Sequence, residues 1–439
     1  MGSRAELTYI FALLNTLLIT YIYIRNPHPP GLGIFRMMTI MRRRIYLFIA
    51  VIGVATSCKK PYYLPVTSNT GSYLVIEGVI NSGSDSTFVK ISRTVKLTDK
   101  VAVTPELNAA VTVQGDQNSS YPLTEMGNGS YACAGLNLDN SHKYRLSIRT
   151  AKGEQYVSDY MEVLNSPPID SISFDTKGTV SDPGLNIYVN THDPAKKVHY
   201  YRWDYQETWI FHSNFTSFFK SNGDTVLGRD WNHDNISQCW QSDSSNTIVL
   251  GSSAKLAKDV IAGQPVTSVI STSEKLGDEY SIQVRQYALT TDAYNFYINL
   301  KKNTEQLGSV FDALPSEING NIHSVTNPSE PVIGYISVGG TSKLRIFISN
   351  RQLPAWITTP FYTTCQLAFP GTPCCYYIFG ATNQVDYYIN YNKGNYPNPL
   401  IPVDAIGRPG APPVGYTAAS RQCVDCTLRG SNKKPAFWQ

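Results

Sequence analysis

Between Ser72 and Asp159 the chain is cut into short runs of alternating apolar and polar residues, each closed by Gly, Asn, Asp or Ser. A period of two puts successive side chains on opposite faces of an extended strand, so such a stretch is confined to a sheet with one buried face. The runs are Ser72–Ile80, Thr87–Leu97, Ala109–Gly115, Tyr121–Glu125, Gly129–Gly135, Lys143–Thr150 and Glu154–Asp159. Short strands at this spacing predict a small antiparallel sandwich over residues 71–164. In Thr87–Leu97 the apolar face is expected from Phe88, Ile91, Val95 and Leu97, with one slip in the alternation.

Asn165–Asp170 contains two adjacent prolines, which stop a strand and stiffen a linker, and it is the predicted domain boundary. A second β-rich domain is expected over 169–350. In it Tyr201, Trp203 and Tyr205 alternate with Arg202 and Asp204, the pattern of a strand with one buried aromatic face. This half looks like the start of a fibronectin-type sandwich. One helix is predicted over 291–306, with a threonine cap, Asp292 in its first turn, Ala293, Phe296, Tyr297 and Leu300 on one stripe, and Gly308 beyond its end. Pro331–Val338 and Ser342–Ser349 read as a hairpin around Gly339 and Gly340. Residues 351–439 are rich in Pro, Tyr and Cys, and are expected to form an irregular tail held by cross-links.

Ahead of these domains, residues 41–57 have the order of a secretory signal: Arg42, Arg43 and Arg44, an apolar run Ile45–Val54, then Ala55, Thr56 and Ser57. The run is too short to span a bilayer. Cys58 follows directly, and the segment resembles a bacterial lipobox, whose cysteine carries diacylglycerol. The expectation is an exported protein anchored through palmitate-type chains on Cys58, with a flexible tether over 58–70. The stretch Leu7–Ile24 is long enough to span a membrane, but Met37, Met38 and Met41 stand just before the arginines, so residues 1–40 are read as a mis-assigned upstream extension.

The leader also explains the formal charge of +4. Residues 1–57 hold six arginines, no lysine and one glutamate, which leaves 31 basic and 32 acidic residues in the rest. A neutral body has no basic face for nucleic acid. Beyond Cys58 lie seven cysteines, an odd number, so one thiol stays free or pairs with another chain. Cys133, alternating with apolar neighbours, reads as a buried free thiol. Cys365, Cys374, Cys375, Cys423 and Cys426 are candidates either for disulfides or for zinc, the latter through Cys423-x-x-Cys426 with Cys374 and Cys375.

Other chemistry is sparse. None of the seven histidines has a close metal-ligand spacing, and there is no G-x-S-x-G elbow and no P-loop. His233 and Asp234, six residues before Cys239, suggest a metal or thiol site, although a solvated loop explains them with fewer assumptions. Trp209, Phe211 and Phe215 offer aromatic faces for a ligand, against the plainer alternative of core packing. No enzyme activity, no cofactor and no metal are therefore expected.

Two resemblances add to this. The order of AAVTV, GNGSY and YRLSI resembles transthyretin-like and carboxypeptidase-regulatory-like immunoglobulin relatives, in which the aromatic of the G-x-Y turn packs on the core; here it is Tyr131. Over the longer range, the lipobox, VIEGVI, RWDYQETW, EYSIQVRQYALTTDAYNFY, PVIGYISV and CVDCTLRGSNKKPAFW together resemble a Bacteroidota outer-membrane lipoprotein family catalogued as domain of unknown function 4249. That resemblance implies a lipid-anchored outer-membrane protein of a kind often encoded beside TonB-dependent receptors, and no reaction; the leading expectation is a non-enzymatic binding or accessory module working with such a β-barrel receptor in nutrient uptake, its small-molecule or glycan ligand unknown. The alternative is a structural or adhesion lipoprotein without a transport role. In many surface-exported lipoproteins of that phylum acidic residues follow the lipidated cysteine, whereas Lys59 and Lys60 follow it here, which leaves the face of the membrane open.

Overall fold

The computed structural model describes residues 72–95, 103–178, 183–221, 226–305, 320–367, 400–411, 413 and 415–438, all within the unit Ser72–Gln439. The leader, Cys58, the tether, Cys374 and Cys375 lie outside the described residues. The chain is mainly β, as the alternation requires.

The first sandwich begins with β1 (Leu74–Ile80), β2 (Thr87–Arg93), β3 (Thr104–Pro105), β4 (Ala110–Gly115), β5 (Ser120–Gly127), β6 (Ser130–Cys133), β7 (Lys143–Arg149), β8 (Gln155–Ser158) and β9 (Met161–Glu162). One continuous hydrogen-bonded sheet, running β8-β7-β4-β5-β6-β2-β1, bends round a core that includes Leu74, Ile76, Ile91, Val113, Leu146 and Ile148. Tyr131 is fully buried in it. Its hydroxyl donates to the Glu106 carbonyl at 2.8 Å and accepts from the Ala109 amide at 3.0 Å, which fixes the loop entering β4. In β2 the strict alternation holds: Thr87, Val89 and Ile91 point inward, and Phe88 stands on the outer face with 61% of its surface exposed. The expected slip does not occur, because Phe88 belongs to the outer face, and the strand ends at Arg93, before Val95; Leu97 lies outside the described residues.

The second sandwich sets two sheets face to face. Three strands, β10 (Ile169–Asp175), β11 (Gly184–His192) and β17 (Val260–Ile270), form one sheet. The other is built from β12 (Tyr200–His212), β15 (Gln238–Ser244), β16 (Val249–Ser252), β18 (Glu279–Leu289) and β22 (Ser342–Ser349). A small hairpin, β13 (Phe219–Ser221) with β14 (Val226–Gly228), projects between β12 and β15 in the chain. Leu185, Ile187, Trp203, Tyr280 and Ile282 share the core between the sheets. The predicted helix is present as α1 (Thr291–Glu305). Thr290 caps it, its hydroxyl accepting from the Ala293 amide at 3.2 Å, and Ala293, Phe296 and Tyr297 are buried.

After α1 the chain returns to the first sandwich through β19 (Ile322–Ser324), β20 (Ile333–Gly334) and β21 (Ser337–Val338). β19 pairs with β8, while β20 and β21 run parallel to β1. The chain therefore does not build 71–164 and then 169–350 in succession: part of the later span completes the earlier sheet. It also means that Pro331–Val338 and Ser342–Ser349 do not form a hairpin, since their strands belong to different sheets. The physical reason is visible at Gly339 and Gly340, where the chain crosses between the sandwiches beside the linker. A Cβ on Gly339 would lie 1.9 Å from the Leu164 carbonyl oxygen, so the glycine serves close backbone approach and not a turn. The Leu164 amide donates to the Val338 carbonyl, and the Ser166 amide to Gly340, both at 2.9 Å. Gln286, fully buried, donates to the Pro167 carbonyl at 2.9 Å.

The C-terminal segment is more regular than its proline content suggests. β23 (Leu400–Ile406) and β24 (Gly415–Ser420) pair with a register shift after Pro402, and the short helix α2 (Arg421–Val424) follows. Disulfides join Cys239 to Cys426 and Cys365 to Cys423. Beyond them Trp438 is buried, its Nε1 donating to Glu279 at 2.9 Å. Among the described residues no helix is long and apolar enough to cross a membrane.

Candidate functional site

The cysteine candidates resolve into structure. Cys423 and Cys426 do not pair with each other, nor are they thiolates available to a metal: each is bonded to a distant partner. Cys239, outside the candidate set, is the partner of Cys426. Two residues separate Cys423 from Cys426 across the end of α2, and their side chains leave in different directions, toward Cys365 and toward β15. Cys133 is a free thiol, half-buried, and burial raises its pKa, which makes it a poor nucleophile. His233 is exposed and bonded to Asp230 at 2.6 Å, apart from the buried Cys239. Trp209 and Phe211 are core residues. Among the described residues no group of three His, Cys, Asp or Glu is placed to hold a metal ion. Ser253, His199 and Asp259 do meet, but the serine hydroxyl donates to Asp259, and His199 Nδ1 faces the other carboxylate oxygen at 3.4 Å. A nucleophile needs its hydroxyl on the imidazole, and that bond is not formed.

What the fold does create is a cleft of about 480 Å³ between the outer faces of the two sandwiches. One wall comes from β1 and β2. Because Leu74, Ile76, Val89 and Ile91 point inward, Glu77, Phe88 and Lys90 must point outward, with Glu77 directly opposite Lys90 in the antiparallel register. Gly78 lets the strands close up there: a Cβ would sit 2.5 Å from the Phe88 carbonyl oxygen.

The other wall is the solvent face of β12, β18 and β22. Tyr201, Trp203 and Tyr205 are buried, as their alternation predicts, so Arg202 and Asp204 face the cleft. Across the ladder Arg202 pairs with Tyr287, and Asp204 with Arg285, which in turn pairs with Lys343. Asp204 accepts from Arg285 Nε at 2.5 Å and from the Tyr287 hydroxyl at 2.9 Å. Burial, reinforced by the Asp204 charge, pushes the Tyr287 hydroxyl pKa well up, so it remains a donor. Lys343 reaches over to Asp85 at 2.8 Å and ties the two walls together.

Arg202 is different. Its guanidinium lies over the rings of Tyr287, at 4.4 Å, and of Tyr297 from α1, at 4.8 Å. Its Nε is buried without a hydrogen-bond partner, and the side chain makes no ion pair among the described residues. The alternation placed Arg202 on a solvent face; that the first sandwich covers this face was not readable from local pattern.

A second polar cluster sits inside the larger sandwich. Glu207 occupies an inward position of β12, where it accepts from Lys275 and from the Tyr280 hydroxyl, and Lys275 Nζ lies 4.8 Å over the Trp209 ring. Tyr280 is held far above its ordinary pKa by burial and by the Glu207 charge. Glu207 and Lys275 line a cavity of about 390 Å³ with Tyr205 and Asp243. Glu207 and Lys275 compensate each other there.

No curated protein matches the chain. The family described as Domain of unknown function (DUF4249) matches residues 59–345, which span the strands of both sandwiches as far as the middle of β22, and the chain belongs to that family.

Proposed function

We propose that the protein is a lipid-anchored outer-membrane lipoprotein, held by acyl chains on Cys58, that acts as a non-enzymatic binding or accessory module beside a TonB-dependent receptor in nutrient uptake. The observation that carries a binding role is the cleft between the sandwiches, where Phe88 and Arg202 line a space of ligand size. The order of charge, apolar run, small residues and cysteine over 41–58 supports the anchor, and the family resemblance supports the receptor.

The test is made on the full chain in its own membranes. A palmitate label should enter the wild-type protein and be absent from Cys58→Ala, and affinity purification from detergent-solubilised outer membranes should bring down a stoichiometric β-barrel. Incorporation without any barrel partner would favour the structural or adhesion role. Equal labelling of wild type and Cys58→Ala would refute the anchor.

A further inference from the structure

We propose that the cleft between the sandwiches takes a small monocarboxylate with an apolar body, its carboxylate on Arg202 and its body against Phe88. This rests on the binding role above and specifies its chemistry.

Charge compensation singles out Arg202. Of the ionised side chains lining the cleft, Asp204 is matched by Arg285, Asp85 by Lys343, and Glu77 faces Lys90 across the β1–β2 register. Arg202 alone forms no ion pair among the described residues, sharing only the longer-range field of Asp204, which Arg285 already binds, and its Nε is buried and unpaired. Removing a guanidinium from water without an acceptor is unfavourable, so a folded protein that keeps one has a reason beyond packing.

Geometry then limits what satisfies it. The rings of Tyr287 and Tyr297 lie against the guanidinium, and Arg202 also lines the cleft, so a partner there meets its N–H groups. An arginine edge presents two parallel N–H donors, which match the two oxygens of a carboxylate. One uncompensated cation calls for one negative charge.

Phe88 supplies the second half. A phenylalanine with 61% of its surface exposed, on a strand face otherwise carrying Glu77 and Lys90, does nothing for the fold. In the cleft it offers an apolar plate to the body of a ligand. The volume suits a small molecule.

Ligand-observed NMR on the purified full chain in detergent tests this with three probe pairs: benzoate and benzamide, phenylacetate and phenylacetamide, hippurate and hippuramide. The acids should bind the wild type about tenfold or more tightly than the amides, as expected when one charge-assisted pair is lost. Arg202→Gln should erase that preference, and Phe88→Ala should weaken acid and amide alike. Phe88 is on the surface, so its variant remains informative even if Arg202→Gln fails to fold. The proposal is overturned if no acid binds, if acids and amides bind equally, or if Phe88→Ala binds every probe as the wild type does. A missing β-barrel partner with intact carboxylate binding would refute the uptake role alone; a partner without carboxylate binding would refute this proposal alone.

Discussion

At the scale of single residues the informative side chains are those that break the pattern around them. Glu207 is a carboxylate on the apolar side of β12, where Lys275 and the Tyr280 hydroxyl donate to it. Removing one member of a buried pair strands the other, so Glu207→Leu should cost roughly 3 kcal/mol in urea denaturation at neutral pH, and adding Lys275→Met should recover most of the loss. His192 tests electrostatics at the surface. Its hydrogen bond to Asp170 and the charge of that carboxylate raise its pKa above the ordinary 6.5. A raised value in the folded state means that the pair stabilises the fold fully below the unfolded value and stops doing so as pH rises through the folded one. An NMR titration should show His192 titrating above 6.5, and Asp170→Asn should return it toward that figure. Tyr131 was legible in the sequence because the turn before it fixes where an aromatic must go. Arg202 and Glu207 were not, since period-two alternation gives a side chain's face but not what lies against that face.

At the scale of elements, most strands of the first sandwich, the long central strands of the second and α1 could be read from periodicity and capping, because each depends on neighbours within a dozen residues, whereas β10, β15 and β17, with weaker alternation, could not. The cross-links could not. Spacing drew attention to Cys423 and Cys426 as a pair, whereas the covalent partners are fixed by how β15 and the end of the chain come together. Ser431 and Trp240 exchange backbone hydrogen bonds at 2.9 and 2.8 Å, which sets the chain end on β15 beside the Cys239–Cys426 bond. That bond closes a loop with a sequence separation of 187, so Cys239→Ser should lower stability by roughly 2–5 kcal/mol. Thermal denaturation of the oxidised variant against wild type measures it, with the C-terminal segment expected to become protease-sensitive first.

At the scale of the whole molecule, the two sandwiches are interlocked by the chain path. β1 lacks its neighbours β20 and β21 until residues that follow most of the second sandwich come back, and β8 lacks β19. The core of the first sandwich includes Ile322, Val332, Ile336 and Val338. A fragment of residues 71–164 should therefore fail to fold cooperatively, showing poor amide dispersion and no sharp melting transition, whereas the span from 71 to 439 should melt with the first sandwich intact until the second one opens. The same return has a consequence for synthesis. The first sandwich begins before most of the second is made and is completed only at Val338, so the edge of Leu74–Ile80 remains an open template for stray strand pairing while most of the second sandwich is still being made. Something that shields an exposed edge, or a delay in collapse of the first strands, has to cover that interval.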